Sequence, residues 1–244
     1  MTAPLLQVRG LRKSYGALVV ADAIDLDLAE GEAVGIIGPN GAGKSTLFNL
    51  IAGEVAAESG TIVFAGRDIT RLAQPARTRL GLARSYQIPR PFSDMSVYEN
   101  VLVGALFGSA GRVENPAIHC AQVIAQTGLM EKANRLAGSL TLLERKRLEL
   151  ARALAVQPRL LMLDEIAGGL TENEAHELVE TIRAIHAQGT TILWIEHVLH
   201  ALVSVVSRLV VLSFGRKLGE GEPRAVLDSP EVREAYLGIE EAVA

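Results

Sequence analysis

The sequence has one cysteine, few aromatics, no basic excess and no long uninterrupted apolar run, and each scarcity closes off a class of protein. Cys120 alone in 244 residues excludes an internal disulfide and any zinc site made of several thiolates. Such a chain suits a reducing cytosol. Lys and Arg total 24 against 28 Asp and Glu, a formal charge of −4, so sequence-independent binding to nucleic acid or to an anionic membrane surface has no electrostatic support. The most apolar stretch, VLHALVSVVSRLVVLSF, is broken by His200 and Arg208 before it reaches spanning length. The start, MTAPLLQVRG, lacks the charged-then-apolar pattern of a signal peptide, so the chain is expected neither to be secreted nor to span a bilayer. Aromatics are 4% of the residues and apolar residues 49%, enough aliphatic material for one large domain or a domain with an inserted lobe.

What is present is an alternation of strand and helix patterns. LLQVRG and LVVADAIDLDL read as strands, the second because Ile24, Leu26 and Leu28 alternate with acidic residues. AVGIIG is a buried strand, KSTLFNLIAG a helix closed by Gly53, and TIVFAG another strand, after which Asp68 or Thr70 is expected to cap the next element. From about residue 89 to 140 the pattern turns helical, in SVYENVLVGALF and NPAIHCAQVIAQTG, with Pro, Gly and Ser between. The helix LERKRLELARALAV, the strand LLMLD, the helix TENEAHELVETIRAIHAQ, the strand TTILWI and the hairpin RLVVLSFGRKLGEG with a small final helix complete the order. Such alternation implies a mostly parallel sheet covered on both sides.

Between a buried strand and a helix stands GPNGAGKST, residues 38–46, which fits G-x-x-x-x-G-K-[ST]. In Gly38, Pro39, Asn40, Gly41, Ala42, Gly43, Lys44, Ser45 and Thr46 the glycines let backbone N–H groups turn inward as an anion cradle, and the helix behind adds its positive end. Lys44 suits β- and γ-phosphates, and the Ser45 hydroxyl suits Mg²⁺. A second strand, LLMLDE, ends in Asp164 and Glu165. Asp164 fits the Mg²⁺ shell, and Glu165 fits a general base that polarises the attacking water.

On these motifs the chain resembles an ATP-binding cassette (ABC) ATPase over residues 5–238. The resemblance implies an α/β fold: a P-loop NTPase cassette with a mostly parallel core sheet, an N-terminal antiparallel β portion and an inserted helical lobe. It divides one ABC domain, residues 1–244, into a core of 1–88 and 141–244 and a helical subdomain of 89–140. It implies ATP and Mg²⁺ as ligands. Tyr15, in LRKSYG, matches the aromatic that stacks on adenine; Gln87, in ARSYQ, the glutamine that senses Mg²⁺ and the γ-phosphate; His197, in TTILWIEH, the switch histidine. His119, His176, His186 and His200 lack metal-ligand company and are expected to be ordinary surface or core residues, Cys120 a small buried one, and ERKRLE a solvated helix face.

The chain departs from the family where the signature Leu-Ser-Gly-Gly-Gln is expected, reading Leu140, Thr141, Leu142, Leu143, Glu144. Thr141 keeps the hydroxyl that in the family contacts the γ-phosphate bound to the opposite subunit; both glycines are gone. T-L-L-E is also a capping box, as is T-E-N-E after Glu165. ARSYQIPRPFSDMSVYENVLVGA, RKRLELARAL and FGRKLGEGEP…VREAYLG are similar to ATPase subunits of branched-chain and hydrophobic amino acid importers and their urea or amide relatives. This implies a peripheral subunit on the cytoplasmic face of the inner membrane, working beneath membrane permease subunits and served indirectly by a periplasmic or extracellular binding protein. It implies a second ABC ATPase subunit too, with a heterodimer expected over a homodimer because of the leucine-bearing signature. SDMSVYENV is expected to begin the lobe and to face a membrane subunit, although Met95, Val97 and Val101 suit a lobe core equally. A lipopolysaccharide-export-type ABC ATPase and a non-transport ABC ATPase stay open as alternatives.

Overall fold

The computed structural model describes residues 3–234, so the end of the family-like tail, residues 235–238, lies outside the described residues. In chain order the elements are β1 (Leu6–Tyr15), β2 (Leu18–Leu28), β3 (Ala33–Ile37), α1 (Lys44–Ala52), β4 (Ser59–Phe64), β5 (Arg67–Asp68), α2 (Gln74–Arg79) and β6 (Leu82–Arg84). There follow α3 (Val97–Val103), α4 (Pro116–Gln126), α5 (Leu142–Leu154), β7 (Leu160–Asp164), α6 (Glu172–Ala187) and β8 (Thr191–Ile195). The last are α7 (Leu199–Val203), β9 (Arg208–Ser213), β10 (Arg216–Gly221) and α8 (Pro223–Leu227). Two compact units divide the chain, residues 1–73 with 193–244 and residues 74–192.

The first unit carries the antiparallel portion, a sheet in the order β2-β1-β4-β5. Its β1 and β2 shift register after Val8, where the Asp25 carboxylate accepts the Gly10 N–H at 2.6 Å and satisfies a donor that the ladder releases. β3, buried at every residue, pairs in parallel with β9, as an uninterrupted apolar run should. β9 turns back into β10 through Phe214 and Gly215, both at positive φ (46° and 75°), the backbone of a tight right-twisting hairpin. Asp68 and Thr70 do not cap a helix: Asp68 accepts from the Thr70 N–H in a local turn, Thr70 Oγ1 accepts from Ile62, and α2 begins only at Gln74. Short Asp and Thr side chains satisfy nearby backbone more readily than a helix four residues on.

In the second unit β6 and β7 pair in parallel. Between residues 89 and 140 the named elements are helical: α3, a π-turn at Gly104–Gly108, α4 and two single 3₁₀ turns. α3 starts on a complete capping box, Ser96 with Glu99, and buries Val97 and Val101; each valine removed from water contributes about 1.5 to 3 kcal/mol. Those two are therefore core of this unit rather than docking surface. α4 starts on Asn115 with Pro116 at its first turn and buries Cys120 completely. α5 and α6 start on the two expected boxes, Thr141 with Glu144 and Thr171 with Glu174.

Candidate active site

In the first unit the glycine loop leaves β3 and enters α1 through Gly43, which holds φ 99° and puts no side-chain cap on the helix. The loop needs its glycines for space as well as torsion: a Cβ on Gly43 would lie 2.2 Å from the Val20 carbonyl oxygen, and one on Gly38 2.2 Å from that of Leu212. Backbone from β2 and β9 thus walls the loop closely, leaving the first N–H groups of α1 as anion donors. Lys44 is buried and folded back, its Nζ donating to the carbonyls of Gly38 at 2.6 Å and Pro39 at 3.0 Å. Those bonds hold the ammonium along the loop that would receive phosphate. Asn40, Gly41 and Ser45 are exposed, Pro39, Gly43 and Thr46 half-buried, and Ala42 is buried. The Gly215 N–H donates to the Ala42 carbonyl at 3.1 Å, so the β9–β10 turn braces the loop.

Two more expected residues belong to this unit. Tyr15, at the end of β1, is 51% exposed, and Lys13 Nζ lies over its ring, 5.3 Å from the centre. His197 is exposed just past β8. Its backbone N–H donates to the buried Glu196 carboxylate at 3.0 Å.

The second unit brings Gln87, Asp164 and Glu165 together. β7 ends at Asp164, and Glu165 then adopts φ 46°, a left-handed conformation costing a non-glycine residue about 1 to 2 kcal/mol. Such strain concentrates at functional positions. Gln87 Nε2 donates to Glu165 Oε2 at 2.5 Å. Asp164 is paired with Arg84 at 2.6 Å, both side chains under a tenth exposed. Among the described residues no group of three or more His, Cys, Asp or Glu could hold a metal by itself. The Asp164 carboxylate and Gln87 amide oxygen here, and separately the Ser45 hydroxyl of the first unit, are hard oxygen donors of the kind Mg²⁺ prefers. Thr141 caps the start of α5, its hydroxyl accepting the Glu144 N–H at 3.3 Å and its own N–H donating to the Glu144 carboxylate at 2.9 Å.

Arg84 and Lys146 escaped the sequence reading. A polar residue three before Gln87 was the available signal for Arg84. For Lys146 the sequence pointed the other way: ERKRLE was expected to be a solvated face, yet Lys146 and Glu149 are buried. Mid-helix charges three apart face one side, and that side packs on protein.

Residues 21–168 match the ABC transporter family, and residues 216–242 match the branched-chain amino acid ATP-binding cassette transporter family. The chain belongs to the ABC transporter family. This ABC subunit binds ATP and hydrolyses it, as the family does. It is 38% identical to the high-affinity branched-chain amino acid transport ATP-binding protein LivG of Salmonella typhimurium, across 98% of this chain and 99% of that one. It is 36% identical to the lipopolysaccharide export system ATP-binding protein LptB of Acidithiobacillus ferridurans, across 96% and 97%. Among solved structures, an ATP-binding cassette of an ABC transporter in its ADP conformation superposes with a TM-score of 0.88 at 30% identity, covering 97% of this chain and all of that one. Among the described residues, no helix of the ABC subunit is long and apolar enough to cross a membrane.

Proposed function

We propose that this ABC subunit powers an importer of branched-chain or other hydrophobic amino acids, or of related amides or urea, from the cytoplasmic face of the inner membrane. Its residues 89–140 serve as the helical subdomain, and membrane permease subunits and a binding protein complete the transporter. The hydrolytic assignment is carried by one observation, the Gln87 amide on the Glu165 carboxylate at 2.5 Å at the strained end of β7. Likeness to LivG over nearly the whole chain supports the cargo class.

In this reading the glycine loop and Lys44 bind the phosphates of ATP, Tyr15 stacks on adenine, and Thr141 faces the γ-phosphate held by a second cassette. Ser45, Asp164 and Gln87 are the residues that would hold Mg²⁺, which would neutralise charge on the phosphate oxygens. Glu165 takes the proton of the attacking water and His197 orients the γ-phosphate. The second cassette is a different chain. Leu142, 44% exposed where the family has glycine, stands at the N-terminus of α5, while the Thr141 hydroxyl is engaged in its cap. A partner with an intact signature completes the site that uses this chain's Lys44 and Glu165.

The test is to co-purify the subunit with its genomic neighbours and measure ATPase after Glu165→Gln here and after the equivalent change in the partner cassette. The change here should abolish most turnover while ATP stays bound; equal loss from either change refutes the asymmetry. The similarity to LptB favours one other reading, lipopolysaccharide export. Co-purification with lipid-extracting membrane subunits instead of amino acid permeases would establish it.

A further inference from the structure

Residues 87–92, Gln-Ile-Pro-Arg-Pro-Phe, lie in no strand or helix, so their backbone groups depend on partners outside a regular ladder. One edge of α5 supplies several of them. Lys146 Nζ lies 3.3 Å from the Gln87 carbonyl oxygen and 3.5 Å from that of Glu165. Three residues on, the buried Glu149 carboxylate accepts the Arg90 N–H. Three further, Arg152 donates to the Arg90 carbonyl at 2.9 Å and to Glu149 at 3.1 Å, and its guanidinium lies 5.0 Å from the Phe92 ring centre. The lengths agree: 146 to 152 rises about 9 Å along a helix, and 87 to 90 spans about 10 Å of extended chain.

We propose that Lys146 is a positioning residue for hydrolysis, holding the backbones of Gln87 and Glu165 so that their side chains stay paired, with Glu149 and Arg152 extending the same hold to Phe92. The inference rests on the assignment of Gln87 and Glu165 above. An ammonium is suited to the task, since a buried cation must find oxygen acceptors and this one spans two loops. The Lys146 ammonium reaches the backbone carbonyls of Gln87 and Glu165 and leaves their side chains to the reaction, so its loss should act on the catalytic step rather than on ATP binding.

The experiment compares wild type, Lys146→Met, Lys146→Arg and Glu165→Gln in the co-purified transporter, with ATPase kinetics, equilibrium ATP affinity and thermal midpoints. Misplacing a reacting group by a fraction of an ångström to one ångström costs up to about a hundredfold, so kcat of Lys146→Met should fall roughly ten- to a hundredfold. KM and ATP affinity should hold, and Lys146→Arg should recover most of kcat. Should Lys146→Met not fold, Lys146→Gln, a donor too short to reach both carbonyls, is read in its place with the same expectation. A native kcat, a kcat loss matched by a loss of ATP affinity, or no recovery with Arg overturns the positioning role. Native turnover in Glu165→Gln overturns the underlying assignment of the base, and a dead Glu165→Gln beside a fully active Lys146→Met overturns the positioning role alone.

Discussion

Replacing Gly43 with alanine separates two reasons for a glycine in the phosphate loop. At φ 99° any side chain meets left-handed strain of about 1 to 2 kcal/mol. At Gly43 the added Cβ would also lie 2.2 Å from the Val20 carbonyl oxygen, a backbone atom that cannot rotate away, and overpacking of this kind costs about 1 to 3 kcal/mol more. The sum is about 2 to 5 kcal/mol, a large share of the roughly 5 to 15 kcal/mol typical of a folded domain. Gly41 is the control within the same loop, since its φ is 80° but a Cβ there meets nothing within 4 Å, so only the strain should appear. Trp194, the single tryptophan and fully buried in β8, reports unfolding in urea by fluorescence. With a slope of about 2 to 3 kcal/mol/M, the midpoint should drop about 1 to 2 M for Gly43→Ala and less for Gly41→Ala. Equal shifts for the two variants would refute the close backbone wall as the reason for Gly43.

Three further outcomes follow from the second unit. Arg84→Leu strips a buried carboxylate of its guanidinium and should cost about 3 to 5 kcal/mol, read by thermal denaturation; Asp164→Asn in the same chain should recover part of it, and strict additivity counts against the pair. Glu99, Glu144 and Glu174 are each held below the usual carboxylate range, first by the backbone N–H of their own capping partners Ser96, Thr141 and Thr171. Because folding lowers these values, their stabilisation is present above the unfolded value of about 4.3 and is lost as pH falls through the folded value. The triple Gln variant should therefore show a flatter acid limb in urea midpoints, and an unchanged limb sinks the argument. Cysteines placed at the exposed Ser93 or Asp94 should cross-link to co-expressed membrane subunits with little background, since Cys120 is buried and burial raises its thiol pKa; no cross-link in any nucleotide state removes this face as the docking surface.

Much of this architecture was legible because its signals are local. The loop at 38–46, the acidic end of LLMLD and the caps at Thr141 and Thr171 each follow from residues within one turn or one strand end, where type and spacing decide structure. The readings that failed depended on what packs against a residue. Lys146 and Glu149 look solvated in a charged run, yet that face packs on protein, residues 87–92 among it. Asp68 and Thr70 look like caps, but β4 lies nearer than any helix start. Arg84 drew no reading at all, because its partner Asp164 comes from β7, far along the chain.

The bracing of the glycine loop by the β9–β10 turn sets a schedule for the chain as it is made. The Gly215 N–H caps the Ala42 carbonyl and its own carbonyl accepts the Asp22 N–H at 2.8 Å, while β3 takes its parallel partner from residues 208–211. The nucleotide loop is thus translated early and finished late. Until residues near 216 have emerged from the ribosome, β3 lacks β9 beside it and the loop lacks the turn that walls it. Nucleotide affinity should arrive with that hairpin, and an ATP analogue should capture nascent chains only once the hairpin has emerged from the ribosome.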